Sequence, residues 1–267
     1  MQSSLSRQCT GADATGAGPV ATERPGIPER LPVPDAGGAK FPLQIRDLGR
    51  VRYAEAFALQ RDFVDRRKRG QIPDQLLFVE HPPVVTMGRN AHEENLLADP
   101  DLLDRAGIEL HRTDRGGDVT YHGPGQIVGY PILDLREWKR DVTAYLRSLE
   151  EVLIGALSQF DIQARRLEGA TGAWVSAPGG LAKIAAIGVH ISRWVTSHGF
   201  ALNVDTDLTY FRYIVPCGLT QPVTSMKALG CGAKRAEVMD ALAQNFASVF
   251  AREIIFEREI MMEKIGS

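Results

Sequence analysis

Cysteine is the scarcest reactive residue in this chain: three thiols among 267 residues are too few for a disulfide framework. Cys9, Cys217 and Cys231 also lack the close pairing of a zinc site, so each stands as a lone thiol. Long apolar runs are missing too. Nothing approaches the roughly 20 residues that a membrane span needs, and the N-terminus has no apolar segment typical of a secretory signal. A cytoplasmic protein with no membrane partner is the expectation. A surplus of one charge is also absent: 31 basic and 33 acidic residues leave a formal charge of −2, so no global field draws nucleic acid. No His-Glu or Cys-Cys spacing points to a metal, and the Gly-x-x-x-x-Gly-Lys-Ser/Thr cradle for ATP phosphates does not occur.

What is present suits a globular protein, with 44% hydrophobic and 24% charged residues. Residues 1 to 40 are rich in Gly, Ala, Pro, Ser and Thr without apolar periodicity, and read as a flexible extension. From Arg52 to Arg69 apolar positions recur at helical spacing, basic residues crowd the end, and Gly70 supplies a stop. Gln75 to Val79 and Val84 to Met87 read as strands split by His81-Pro82-Pro83, which makes His81 a turn or surface histidine. Ile108 to Thr113 and Ile127 to Leu133 are strand-like. Val142 to Phe160 carries a helical apolar stripe with Asp141 as its N-cap. Strands are expected at about 162–167, 173–175, 182–191 and 195–204, then a helix from Lys234 to Arg252 and an edge strand at Ile254 to Phe256. The pattern predicts one α+β domain over 41–267, a mostly antiparallel, mixed sheet flanked by helices.

Four glycines, a proline, a cation and an imidazole fall within Arg115-Gly116-Gly117-Asp118-Val119-Thr120-Tyr121-His122-Gly123-Pro124-Gly125-Gln126. Glycine lets a backbone approach a ligand closely, so this run builds a site as readily as it builds a hairpin loop. Lys183 is the only charged residue of Leu181-Ala182-Lys183-Ile184-Ala185-Ala186-Ile187-Gly188. Removal from water favours a neutral amine that can act as a base, whereas an edge-strand lysine would face solvent. Cys217 sits between Pro216 and Gly218, which suits either an exposed thiol on a sharp turn or an inert buried one. His190 and His198 stand on neighbouring strand segments, and either can be structural.

Together the runs 115–126, Lys183 to Gly188, His198-Gly199-Phe200-Ala201-Leu202-Asn203-Val204 and Pro216-Cys217-Gly218 resemble the lipoyl(octanoyl) transferases, over roughly residues 43 to 250. The resemblance implies the biotin/lipoate protein ligase-like fold. It further implies transfer of an octanoyl group from the phosphopantetheine thioester of octanoyl-acyl carrier protein to a lysine of a lipoyl domain, the first step of endogenous protein lipoylation. Acceptors of that class are the lipoyl domains of 2-oxoacid dehydrogenase complexes and the glycine cleavage H protein, and neither ATP nor a metal is implied. By the same resemblance Cys217 is the acyl-thioester nucleophile and Lys183 the residue that tunes it and moves protons. Arg115, Gly116, Gly117, Asp118, Val119, Thr120, Tyr121 and His122 match its substrate-binding segments, as do Ala186, Ile187 and Gly188, and Gly199, Phe200 and Ala201.

Tyr121, Ile187 and Val189 are expected to line an acyl tunnel. The basic cluster Arg66-Arg67-Lys68-Arg69 reads as a solvated helix end that could engage an acidic carrier protein. Ser176-Ala177-Pro178-Gly179-Gly180 reads as a surface insert. Two competing readings remain, an ATP-dependent lipoate or biotin ligase on the same fold and a non-catalytic acyl-binding module.

Overall fold

The computed structural model describes residues 41–215 and 221–255; Cys9 and Cys217 lie outside them. In chain order the elements are β1 (Phe41–Arg50), α1 (Tyr53–Lys68), β2 (Asp74–Glu80), β3 (Val84–Met87), α2 (Pro100–Arg105), β4 (Glu109–Arg112), β5 (Val119–His122) and β6 (Gln126–Ile132). There follow α3 (Val142–Ser158), β7 (Ala164–Leu167), β8 (Ala170–Ala177), β9 (Gly180–Ser192), β10 (Val195–Asn203), α4 (Arg235–Val249) and β11 (Arg252–Ile255). Eight strands form one sheet in the order β11-β1-β2-β6-β10-β9-β8-β7, and β4-β3-β5 form a second. Pairing is antiparallel from β2 outward to β7, whereas β1 runs parallel to both β2 and β11 and β3 runs parallel to β4. The sheet is therefore mixed, as the sequence pattern predicts.

β2 is buried on both faces, which explains its unbroken apolar run. Leu76 and Phe78 join the core under α3 and α4, while Leu77 and Val79 join the core under α1. The small sheet lies on the α1 side and has its own core, with Val85, Met87, Val119 and Tyr121 packed against Leu103 of α2 and Ile214. Local chemistry sets the ends of the helices. Asp141 accepts the Ala144 N–H at 2.9 Å and Gly70 takes φ +67° past α1, both as expected. The sequence reading missed α2, although Asp99 accepts the Leu102 N–H at 2.7 Å and Pro100 stands in its first turn.

Three expectations are corrected. The glycine-rich run is not all loop, because Val119–His122 pair with β3 as a strand. His81 is fully buried rather than a surface residue: its Nδ1 donates to the Val51 carbonyl and its Nε2 accepts from the Tyr130 hydroxyl, both at 2.7 Å. Arg67 does not belong to a solvated helix end. It is buried against Asp74 at 2.7 Å, Asp134 at 3.7 Å and Glu137, while Asp74 also receives Arg252 at 2.8 Å. A cation in that position holds α1, β2 and β11 together and is closed to any carrier protein.

Candidate active site

Strands β9 and β10 pair Gly188 with Gly199 and Ala186 with Ala201, so four small residues share the face turned toward the small sheet. Their missing side chains leave room for a narrow cleft open to solvent. Val128 and Tyr130 of β6 continue this face beside β10, while Thr120 and His122 of β5 and Tyr53 of α1 stand across from it. Arg115, Gly117, Ile187, Phe200 and His198 complete the cleft. Close approach accounts for the glycines. A Cβ on Gly188 would stand 2.9 Å from the Gly116 carbonyl, and one on Gly199 would stand 2.1 Å from the Gly129 carbonyl.

A smaller chamber adjoins this cleft and shares Thr120, Ala186 and Ala201 with it. Lys183 lines that chamber with Gln126, Asn203 and Phe211, and is only 6% exposed. Its Nζ lies 4.8 Å from the centre of the Trp174 ring, a cation–π contact. The backbone of Lys183 is clamped on the segment that follows Cys217 in the chain: its N–H donates to the Pro222 carbonyl at 2.9 Å, and its carbonyl receives the Thr224 N–H at 2.9 Å. On the other flank Val215 donates to the Asn95 carbonyl at 2.7 Å. Cys231, by contrast, is 2% exposed and packs in the core under α3 and α4.

The residues of the glycine-rich run divide between the cleft wall and the far side, by strand alternation within β5 only. Arg115 is buried and donates to Thr86 through Nε at 3.1 Å to Oγ1 and Nη2 at 2.6 Å to the carbonyl, which sets its guanidinium on the cleft wall. Gly116 donates to the Val189 carbonyl at 2.8 Å and so stitches the run to β9. Asp118 turns away, accepting from the His92 N–H and from Asn95 Nδ2. Val119 and Tyr121 also turn away, and Tyr121 stacks on Tyr210 at 5.0 Å. Of the three residues expected in a tunnel, Ile187 borders the cleft and Tyr121 and Val189 do not.

Tyr53, Val128 and Tyr130 escaped the sequence reading, which left His198 open as a structural residue. Tyr53 donates to Thr113 Oγ1 at 3.1 Å. His198 takes φ +56° in the middle of β10, its N–H held by Gln60 Oε1 at 2.8 Å and its Nε2 2.7 Å from Asp114. A left-handed non-glycine residue held by three elements is a strained position of the kind that gathers at functional sites. The hydrogen bond from His198 holds the Asp114 carboxyl down to about 2, and burial lowers the His198 imidazole against the pull of that carboxylate. Burial also pushes His122 down to about 3, so the cleft faces a neutral ring there.

Residues 52–247 match the lipoyl protein ligase A/B catalytic domain. The chain belongs to the lipoyl protein ligase A/B catalytic-domain family. Among its relatives in that family, an octanoyltransferase of Solibacter usitatus is 59% identical over 211 residues, covering 79% of this chain and 94% of the relative. An octanoyltransferase of Koribacter versatilis is 53% identical over 219 residues, covering 80% and 86%. The bipartite lipoate protein ligase of Thermoplasma acidophilum superposes with a TM-score of 0.64 at 19% identity, over 84% of this chain and 91% of that one. A lipoate-protein ligase A bound with ATP gives 0.60 at 20% identity, over 85% and 94%. These lipoate protein ligase structures thus share the fold of this chain. No helix among the described residues is long and apolar enough to cross a membrane.

Proposed function

We propose that this protein is an octanoyltransferase that moves an octanoyl group from octanoyl-acyl carrier protein onto the lysine of a lipoyl domain. The observation that carries the reading is the pairing of the cleft with the buried Lys183 chamber, in a chain 59% identical to a named octanoyltransferase. An eight-carbon chain gains about 0.8 kcal/mol per buried CH₂, enough for a cleft of this kind to hold it. Cys217 is the nucleophile. Its thiolate attacks the donor thioester, the bond to the phosphopantetheine sulfur breaks, and that sulfur leaves as a thiol. One thioester replaces another at little free-energy cost, so neither ATP nor a metal enters the scheme.

Support for the partnership of Cys217 and Lys183 comes from the flanks of the cysteine segment, since Pro222 and Thr224 are bonded to the backbone of Lys183. Lys183 takes the thiol proton in the first half-reaction and assists proton removal from the acceptor amine in the second, where an unperturbed lysine holds its proton up to a pKa of about 10.4. Arg115, Gly117, Thr120 and His122 of the glycine-rich run, with Ala186 to Gly188 and Gly199 to Ala201, bind the acyl chain and its thioester end. Domains 41–267 form the catalytic unit in this reading. Acceptors are the lipoyl domains of 2-oxoacid dehydrogenase complexes and the glycine cleavage H protein, and a reaction between such carrier proteins belongs in the cytoplasm.

The test omits nucleotide: octanoyl-acyl carrier protein, lipoyl domain and enzyme are mixed without ATP, and octanoyl mass on the lipoyl domain is the expected product. Strict dependence on ATP would assign the chain to the ligases instead.

A further inference from the structure

His122 lines the cleft and is 7% exposed. Its Nδ1 lies 2.8 Å from Gln126 Oε1. The Gln126 amide is oriented by two acceptors, since its Nε2 donates to the Tyr121 carbonyl at 3.2 Å and to Asn203 Oδ1 at 2.9 Å. Asn203 is fixed in turn by the Thr224 carbonyl, 3.0 Å from its Nδ2. An amide oxygen only accepts, so the imidazole proton sits on Nδ1 and Nε2 carries a lone pair.

That lone pair has no hydrogen-bond partner among the described residues, and Nε2 is not one of the fully enclosed polar atoms left unpaired. It therefore meets the open space of the cleft. His81 next to it shows the contrast, with both ring nitrogens engaged. Burial keeps His122 neutral, so the acceptor stays bare at neutral pH. An octanoyl chain, which carries hydrogen only on carbon, leaves such an acceptor unused, and a buried acceptor favours a ligand that supplies a donor.

We infer that the cleft takes medium-chain acyl groups bearing a hydroxyl along the chain as well as the unsubstituted octanoyl group, with His122 Nε2 accepting from that hydroxyl and Gln126 fixing the tautomer. The inference rests on the octanoyltransferase reading and adds a substrate class to it. A purely apolar pocket rejects an added hydroxyl by about 10²-fold, whereas a pocket that already holds the matching acceptor does not.

Octanoyl-carrier thioesters hydroxylated at each carbon from the fifth to the eighth are competed against the octanoyl thioester in one reaction, and products are read by mass on the lipoyl domain. The wild-type enzyme is expected to transfer at least one positional isomer within about tenfold of octanoyl. His122→Phe is expected to lower the hydroxyoctanoyl-to-octanoyl ratio for that isomer by about tenfold or more, a ratio unaffected by how much enzyme is folded. Gln126→Met releases Nδ1 and lets the proton move to Nε2. It is expected to lower the same ratio while raising the ratio for the corresponding keto chain. Rejection of every isomer by about 10²-fold in the wild type overturns the inference, and so does an unchanged ratio in His122→Phe. If neither variant folds, the wild-type panel alone decides. Failure of the wild type to transfer octanoyl itself would instead defeat the octanoyltransferase reading, so the two failures are distinct.

Discussion

Single residues decide the chemistry of this cleft by what they leave out as much as by what they bring. Gly199 stands where a Cβ would meet the Gly129 carbonyl at 2.1 Å and Pro131 Cδ at 2.5 Å, contacts that only backbone movement can relieve. Gly199→Ala is therefore expected to cost about 1–3 kcal/mol in urea denaturation and to reduce transfer, since it displaces the β10 edge of the cleft. An unchanged midpoint would show that β10 has slack there. Lys183 brings a charge into a nearly closed chamber, with the Trp174 ring beside it. Lys183→Ala should leave a folded protein whose Cys217 is alkylated more slowly at neutral pH, because a nearby ammonium favours the thiolate. Identical rate-against-pH curves, with full transfer, would leave Lys183 a structural role only.

Between elements, the buried ion network around Asp74 bears on stability more than on chemistry. Asp74 receives Arg67 from α1 and Arg252 from β11, and also accepts the Asp134 N–H at 3.0 Å. Asp74→Leu leaves two arginines buried without their shared carboxylate, and is expected to destabilise by about 3–5 kcal/mol, measured by chemical denaturation. A loss below about 1 kcal/mol would mean that Asp134 and Glu137 suffice for Arg67. These partners lie far apart in the chain, which is why the sequence showed a basic cluster at 66–69 and not a buried clasp. Elements with local signals were legible: α3 with its Asp141 cap, the end of α1 at Gly70, and the β9–β10 hairpin. The glycine-rich run was legible as a site but not as a strand, because its four-residue β5 gains order only from pairing with β3. Tyr53, His81 and Asp114 carried no motif of their own, and only the folding of α1 and the small sheet over β10 assembles them with His122 and His198.

At the scale of the whole molecule, the buried histidines set an acid limit. Burial pushes His81 down to about 4, and an exposed histidine in the unfolded chain titrates near 6.5, so the unfolded state takes up the proton first. Stability on this account is intact above about pH 6.5 and falls as pH drops toward 4, by up to about 3 kcal/mol for His81, with His122 acting in the same direction. Urea midpoints compared at about pH 7.5 and 4.5 should shift more in the wild type than in His81→Phe, and equal shifts would contradict the role of His81. The large sheet, its two helical layers and the small sheet together hold the cleft and the lysine chamber, where Pro222 and Thr224 are bonded to the backbone of Lys183. Cys231 is closed off in the core, which is why the thioester is proposed on Cys217, outside the described residues like Cys9. Intact mass after mixing with octanoyl-acyl carrier protein, without ATP, tests this most directly. Octanoyl mass on the wild type, localised to Cys217 and absent from Cys217→Ser, is the predicted result; an adduct on Cys231, or none without ATP, would contradict it.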